Sequence, residues 1–385
     1  MSTAHSNGTA GRVLSIQSHV VHGYVGNKAA TFPLQCLGYD VDPINAVHFS
    51  NHSGYPTMHG TRLTPPEFAE IVRGLAVNGI VGEYSHLLTG YVGQAQTLSA
   101  IPALLHDLRA VNPALLYLLD PVMGDNGKLY VPADVLPVYR DLLCPLADVM
   151  TPNGFEAGLL AGTSITSKAT LQHALQALHA LGPSLVIITS TPLSDFAAAA
   201  AAGAAAPPTT TTAAADSETN YLVASHPPSQ TRFAIPFTKR PGFFTGTGDL
   251  FAALVLAFLD ARRVRAAAAA ADGETRPPSP TPSPTTTAPT SGPLTAHIRA
   301  VCVAALTCMS HVLDETAATT AAKQQAHHSS VVSHPAPQGD RTPAFMRSHE
   351  LAIVQSRRWF VKDVAAAAAA RDSASTARTF TVIDF

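Results

Sequence analysis

The run Phe244-Thr245-Gly246-Thr247-Gly248-Asp249-Leu250-Phe251-Ala252-Ala253 places two glycines and two hydroxyls directly before an apolar, alanine-rich helical stretch. Glycine opens dihedrals closed to other residues, so the N–H groups of Gly246, Thr247 and Gly248 can converge as an anion hole at a positive helix start. Asp249, in the first turn, would stand where it could take a proton from an alcohol attacking a γ-phosphoryl group. The same residues read equally as a turn with an acidic residue capping a helix.

A second set of carboxylates lies upstream. Asp120-Pro121-Val122-Met123-Gly124-Asp125 follows the most apolar strand candidate, and its two acids could hold Mg²⁺ through water, although Asp-Pro and Gly-Asp also form turns. Thr151-Pro152-Asn153-Gly154-Phe155-Glu156 adds a third acid, and Asn153 three residues before Glu156 reads as a capping box that leaves the carboxylate free to face a metal-bound water. Ser50-Asn51-His52-Ser53-Gly54-Tyr55 mixes donors and acceptors with an aromatic ring, as a pocket for a polar heteroaromatic would need and as many surface loops do. Isolated histidines such as His86 and His173, and the pair His327-His328, have no metal-ligand spacing and are assigned to core packing or solvated linker. Gly246-Thr247-Gly248 is not a dinucleotide fingerprint, because Phe251 replaces the third glycine, and no Walker lysine follows.

These residues need a frame that gathers them. From Arg12 onward short β-rich runs alternate with helix-period segments, which predicts an α/β fold with a parallel sheet covered by helices. The strand candidates are Val13–Gln17, Val41–Phe49, His86–Thr89, Leu115–Leu119 and Leu185–Thr189, with one or two more over Tyr221–Ser225 and Arg232–Phe237. Helices are expected after Gly26, from Thr64 with a capping box to Glu67, over Leu98–Val111 and Leu171–Leu181, after Gly248, and over Leu294–Leu313. Ligands of open parallel sheets sit outside the carboxyl ends of the strands. Gln17-Ser18-His19, Thr89-Gly90-Tyr91, Asp120-Pro121 and Thr189-Ser190 are therefore expected on one edge.

The chain has 385 residues, 24 basic against 26 acidic side chains, and no basic run that could track a nucleic acid. Tracts rich in alanine, threonine and proline at Ala197–Ala215, Ala266–Pro293 and Ala317–Pro343 lack the large side chains that offset chain entropy and read as disordered inserts in a single domain spanning 12–385. The first eleven residues read as a disordered terminus. Cys36, Cys144, Cys302 and Cys308 lie singly in apolar surroundings without a Cys-x-x-Cys pair, which suggests neither zinc site nor disulfide framework and a reducing compartment. The longest clean apolar run, Leu250–Leu259, is short of the roughly 20 residues of a membrane helix. No signal segment is evident at the N-terminus, so a cytosolic protein is expected.

Taken together the blocks resemble the ribokinase-like superfamily and, within it, the vitamin B6 kinases. The resemblance rests on Leu14-Ser15-Ile16-Gln17-Ser18-His19-Val20, Gly23-Tyr24-Val25-Gly26-Asn27, Phe49-Ser50-Asn51-His52, Leu88-Thr89-Gly90-Tyr91, Thr151-Pro152-Asn153 and the Gly246–Asp249 tetrad. It implies a three-layer α/β/α sandwich with a mostly parallel central sheet, and transfer of the ATP γ-phosphoryl group to the 5′-hydroxymethyl of pyridoxal, pyridoxine and pyridoxamine. By that resemblance Ser18, Val25, Ser53 and Tyr91 would hold the vitamer, and Asp249 would be the base beside the Gly246–Gly248 hole. Asp120, Asp125 and Glu156 would place a divalent ion, Mg²⁺ or another such as Zn²⁺. Asp120, Tyr130, Thr151, Glu156, Thr189, Ser190 and Thr247 would line the ATP side, with Tyr130 on the loop over the phosphates. A homodimer stimulated by K⁺ is further implied. Ser53 stands where related animal enzymes carry threonine, the Asp125–Tyr130 loop is short beside theirs, and the inserts have no counterpart. Alternatives are a sibling kinase acting on a hydroxymethylpyrimidine or nucleoside, and a catalytically silent vitamin B6-binding protein.

Overall fold

The computed structural model describes residues 10–193, 219–240, 242–259, 293–328, 342–361 and 380–385. Its strands are β1 (Gly11–Val20), β2 (Tyr39–Phe49), β3 (Gly60–Arg62), β4 (His86–Thr89), β5 (Leu116–Leu119), β6 (Gly124–Asp125), β7 (Lys128–Leu129), β8 (Val149–Met150), β9 (Leu185–Thr191), β10 (Thr219–His226), β11 (Thr231–Thr238) and β12 (Ile383–Asp384). One sheet runs in the order β12-β11-β10-β9-β8-β5-β4-β1-β2-β3, and β6-β7 is a separate hairpin. The stretch from β9 to β2 is parallel, while β3 closes one edge and β10 to β12 the other with antiparallel pairs.

Strands buried on both faces explain the nearly continuous apolar runs of the sequence. In β5, Tyr117 and Leu119 join one helical layer and Leu116 and Leu118 the other. The first layer takes the Ile101–Val111 helix through Ile101, Leu104, Leu105 and Leu108, and the Lys168–Ala180 helix through Leu171, Ala174, Leu175 and Leu178, each at helical spacing. The opposite layer holds the Asn27–Cys36, Thr247–Phe258 and Pro293–His328 helices. The Thr247–Phe258 helix is flanked by the other two, so every residue from Leu250 to Leu256 is buried. That position explains why it is apolar all round.

Several expectations need correcting. The helix that starts at Pro293 does not stop near Leu313 but continues to His328, into the tract read as the third insert, and buried Thr320 makes a hydrogen bond to the Ser348 carbonyl oxygen. Alanine is the best helix former, and tertiary contacts to 342–361 hold the extension. Its Pro293–Ala322 portion is also apolar and long enough by composition to cross a membrane, which the count over Leu250–Leu259 missed. Here Ile298, Val301, Cys302, Ala305, Cys308 and Val312 pack into the core. The tracts 197–215 and 266–292 lie outside the described residues. Cys36 is exposed rather than set in an apolar environment, and His173 is exposed while His86 is a core residue.

His86 opens β4 with its ring edge-on to Tyr39 and Nδ1 at 2.8 Å from Ser85 Oγ. Burial pushes it down to about 4, from an ordinary value near 6.5. Between those values the unfolded chain binds a proton that the native chain refuses, so stability falls as pH falls through this window. Replacing His86 with Phe, which keeps the ring packing, is expected to remove one proton from the pH dependence of unfolding between about 6.5 and 4, worth roughly 3 kcal/mol across it. Urea melts of both forms at a series of pH values check this; parallel curves would contradict it.

Candidate active site

Because β1, β4, β5, β8 and β9 are parallel and adjacent, their carboxyl ends fall on one edge. Backbone bonds step across it: Gly90 N donates to Ile16 O (3.1 Å), Asp120 N to Thr89 O (2.9 Å), Thr151 N to Leu119 O (3.0 Å) and Thr189 N to Pro152 O (2.9 Å). The expected gathering of Ser18, Thr89, Asp120 and Thr189 is therefore met. β1 pairs with β2 on one side and β4 on the other, so the strand order reverses there and opens the crevice in which such sheets bind ligands.

Two helices of the same layer begin at this edge, and their starts touch. Gly246 caps the Thr247–Phe258 helix with φ 80°, and Gly26 caps the Asn27–Cys36 helix with φ 52°. A methyl group at Gly246 would run into the Tyr24 carbonyl oxygen, and one at Gly26 into Ser18. Only glycine permits this backbone-to-backbone approach at positive φ. It brings the starts of the two helices to one place, and the Gly26 N–H lies near enough to the Asp249 carboxylate to favour its charged form. Burial still pushes the Asp249 carboxyl above its usual range, with the Gly26 N–H pulling it back.

Asp120, at the end of β5, is nearly inaccessible, and its Oδ2 has no hydrogen-bond partner. It faces the glycine turn, since a Cβ on Gly248 would lie 3.9 Å from it. Burial, followed by the charges of Glu156 and Asp249, pushes its carboxyl well up, and the nearby Thr151 hydroxyl opposes this. Glu156 is differently placed. Its Oε2 accepts from Asn153 N (2.9 Å) and its Oε1 from Met123 N (2.9 Å) and Gly124 N (3.3 Å), while Asn153 Oδ1 accepts from Glu156 N (2.9 Å). The capping box predicted at Asn153 is thus present, and the same carboxylate fixes the Asp120–Gly124 turn. Asp125 is exposed and bonds Asn126.

Among the described residues no three His, Cys, Asp or Glu side chains group closely enough to enclose a metal ion. Asp120 instead offers one uncommitted carboxylate oxygen beside the two helix starts. That donor set fits Mg²⁺, which keeps several waters and shares phosphate oxygens rather than needing a protein cage. A groove of about 560 Å³, lined in part by Asp125, Phe155, Ser190, Thr191, Asn220 and Lys239, adjoins this edge. Thr247 begins the glycine-capped helix, and Tyr130 follows the β6–β7 hairpin with its ring exposed.

Across the edge, Val25 and Tyr91 pack on a small apolar cluster of Val20, Val47 and Phe49. Ser18 is buried where the β1–β2 register shifts, and Ser53 is exposed on the 50–55 loop. A buried polar network anchors this end: Ser15 Oγ donates to Asn27 Oδ1 (2.7 Å), Gln17 Nε2 to Ser15 Oγ (2.9 Å), and Asn27 Nδ2 to Ile44 O (3.0 Å) and Asn45 Oδ1 (2.9 Å). Sequence reasoning missed Glu350, which reaches this side from beyond the long helix. No motif announced it, because its partners are a backbone amide and side chains some 300 positions away.

Residues 82–273 match the family model described as phosphomethylpyrimidine kinase. A pyridoxal kinase of Arabidopsis thaliana is 46% identical over 250 residues, covering 64% of this chain and 73% of the relative, and the Homo sapiens pyridoxal kinase is 40% identical over 260, covering 64% and 77%. The structure of the Leishmania donovani pyridoxal kinase in complex with ADP and pyridoxine superposes with a TM-score of 0.67 at 28% identity, covering 97% of this chain and 99% of that one. The fold is accordingly the ribokinase-like α/β/α sandwich, and by identity and coverage the chain belongs to the pyridoxal kinase family.

Proposed function

We propose that this protein transfers the γ-phosphoryl group of ATP to the 5′-hydroxymethyl of pyridoxal, and of pyridoxine and pyridoxamine, giving the 5′-phosphate and ADP. The observation that carries the reading is the juxtaposition of Asp249, beside the Gly26 N–H, with two glycine-capped helix starts and the unpartnered Asp120 oxygen. A loose phosphoryl-transfer transition state asks for alignment and charge neutralisation more than covalent help. Asp249 takes the proton of the attacking hydroxyl. The N–H groups of Gly246, Thr247 and Gly248 hold the charge that develops on the transferred group. Ser18, Val25, Ser53 and Tyr91 orient the vitamer ring. Thr151, Thr189, Ser190, Thr247 and Tyr130 form the nucleotide side, next to the groove.

Asp120 is the residue that would hold Mg²⁺, and Asp125 and Glu156 would act on it at most through water, since the Glu156 oxygens are already bonded to three N–H groups. When bound, the ion would neutralise phosphate charge. We further assign the described elements to one kinase domain interrupted by the tracts at 197–215 and 266–292.

The family model's name points to a phosphomethylpyrimidine as acceptor, and the hydroxymethylpyrimidine expected as an alternative from the sequence is its unphosphorylated relative. The blocks around Ser18 and Tyr91 and the identities of 40–46% to pyridoxal kinases favour the vitamer.

Asp249→Asn keeps the size of the side chain and removes the base. Pyridoxal-dependent ADP release is expected to fall by about 100- to 10,000-fold in that variant, with binding retained. Turnover close to the parent level would exclude Asp249 as the base. Gly246→Ala forces a methyl toward Tyr24 O and a side chain into a left-handed conformation. It should lower kcat by about 100-fold, as loss of a preorganised N–H donor does, together with a drop of a few degrees in melting temperature. Undiminished kcat would show that the turn does not bear transition-state charge.

A further inference from the structure

The vitamer side is built from two short segments that have no strand of their own to hold them, the Gly23–Gly26 turn and the 50–55 loop. Both are pinned by one carboxylate. Glu350 Oε1 accepts a hydrogen bond from Tyr55 OH at 2.9 Å and lies 3.1 Å from His52 Nε2, and Oε2 accepts from Tyr24 N at 3.2 Å. Gly54 N donates to His52 Nδ1 at 3.1 Å, which leaves Nε2 as the protonated nitrogen, donating to Glu350. Three donors thus converge on a side chain that is only 8% exposed. Gly23, with φ 91°, presses against the same carboxylate so closely that a methyl there would overlap it. Burial alone would raise the Glu350 carboxyl, but the bonds from His52, Tyr55 and the Tyr24 N–H bring it below the usual carboxylate range.

We propose that Glu350 is a positioning residue for the acceptor, acting through the turn and the loop that carry Val25 and Ser53. The inference rests on the kinase reading given above and deepens it on the substrate side. The chain of contacts is short. Tyr24, whose N–H is fixed by Glu350, has its carbonyl against Gly246, and two residues on Gly26 caps its helix beside Ser18 and Asp249. On the other side, His52 and Tyr55 flank Ser53, and their rings meet edge to face at 4.9 Å. Met346, in the short Pro343–Ser348 helix just before Glu350, backs the loop at Gly54. Residues 346–350 therefore brace the vitamer side from the segment that follows the long helix, and among the described residues the hydrogen bonds of Glu350 run to Tyr24, His52 and Tyr55.

Glu350→Gln tests this with volume conserved. The amide offers one acceptor oxygen where the carboxylate offered two, and its NH₂ faces a donor, so either Tyr24 N–H or the His52–Tyr55 pair loses its partner. The intact chain is assayed with pyridoxal and ATP varied separately, and pyridoxal binding is titrated without ATP by its absorbance. The expected result is a rise of about tenfold or more in KM and Kd for pyridoxal, with KM for ATP within twofold. Tyr55→Phe, which leaves the carboxylate bonded to His52 and Tyr24, should shift the same constants in the same direction by less and carries the test if Glu350→Gln does not fold. The double variant should be no worse than Glu350→Gln alone, because both act on one cluster. Unchanged pyridoxal constants, or KM values for pyridoxal and ATP that move together, would overturn the proposal. If the parent protein accepts only a hydroxymethylpyrimidine, the vitamer reading fails while the same split, measured on that acceptor, still decides the role of Glu350.

Discussion

The structure depends on one close approach of backbone to backbone, Gly246 against the carbonyl of Tyr24. No side chain could stand between them. Two helix starts that would otherwise be separated by a layer of packing are therefore within reach of a single ligand, and their dipole ends add. Everything nearby follows from the contact. The Gly26 amide reaches Asp249, Ser18 lies against Gly26, and the Thr247–Phe258 helix must run between the Asn27–Cys36 and Pro293–His328 helices with apolar side chains all round.

Gathering carboxylates beside these helix starts sets an electrostatic problem that the sheet resolves. Asp120 and Asp249 repel each other, and Glu156 adds a third charge. Glu156 is satisfied internally by three backbone N–H groups and becomes part of the frame. Asp120 is left with a buried oxygen that nothing in the described protein satisfies. A buried, unpaired polar atom is costly in a resting fold and persists where a ligand or ion completes it. The arrangement suits phosphoryl transfer, in which charge is brought in by the substrates and neutralised in place.

Legibility in the sequence followed the range of the interactions. The alternation of β-rich and helical segments predicted the parallel sheet because both faces of each strand are buried, and the capping boxes at Thr64 and Asn153 were readable because they close within four residues. The edge with Ser18, Thr89, Asp120 and Thr189 followed from parallel topology alone. What escaped was long-range or compositional. Alanine and threonine after Leu313 looked too small to build a core, yet a helix 36 residues long carries them because Thr316 and Thr320 bond back to its own carbonyls and to the segment around Ser348. Glu350 escaped for a different reason: one carboxylate with partners at Tyr24, His52 and Tyr55 leaves no periodic trace. The division of labour between Asp120 and Glu156 was also hidden, since two carboxylates of similar sequence context differ only in which N–H groups reach them.

The measurement that tests the account most directly is a competition in which the protein is given ATP, Mg²⁺ and an equimolar mixture of pyridoxal and a hydroxymethylpyrimidine, and the phosphorylated products are identified by mass. The account predicts pyridoxal 5′-phosphate as the dominant product, formed only when ATP is present. A phosphorylated pyrimidine with pyridoxal left untouched would contradict it, and so would retention of pyridoxal without any ATP consumption.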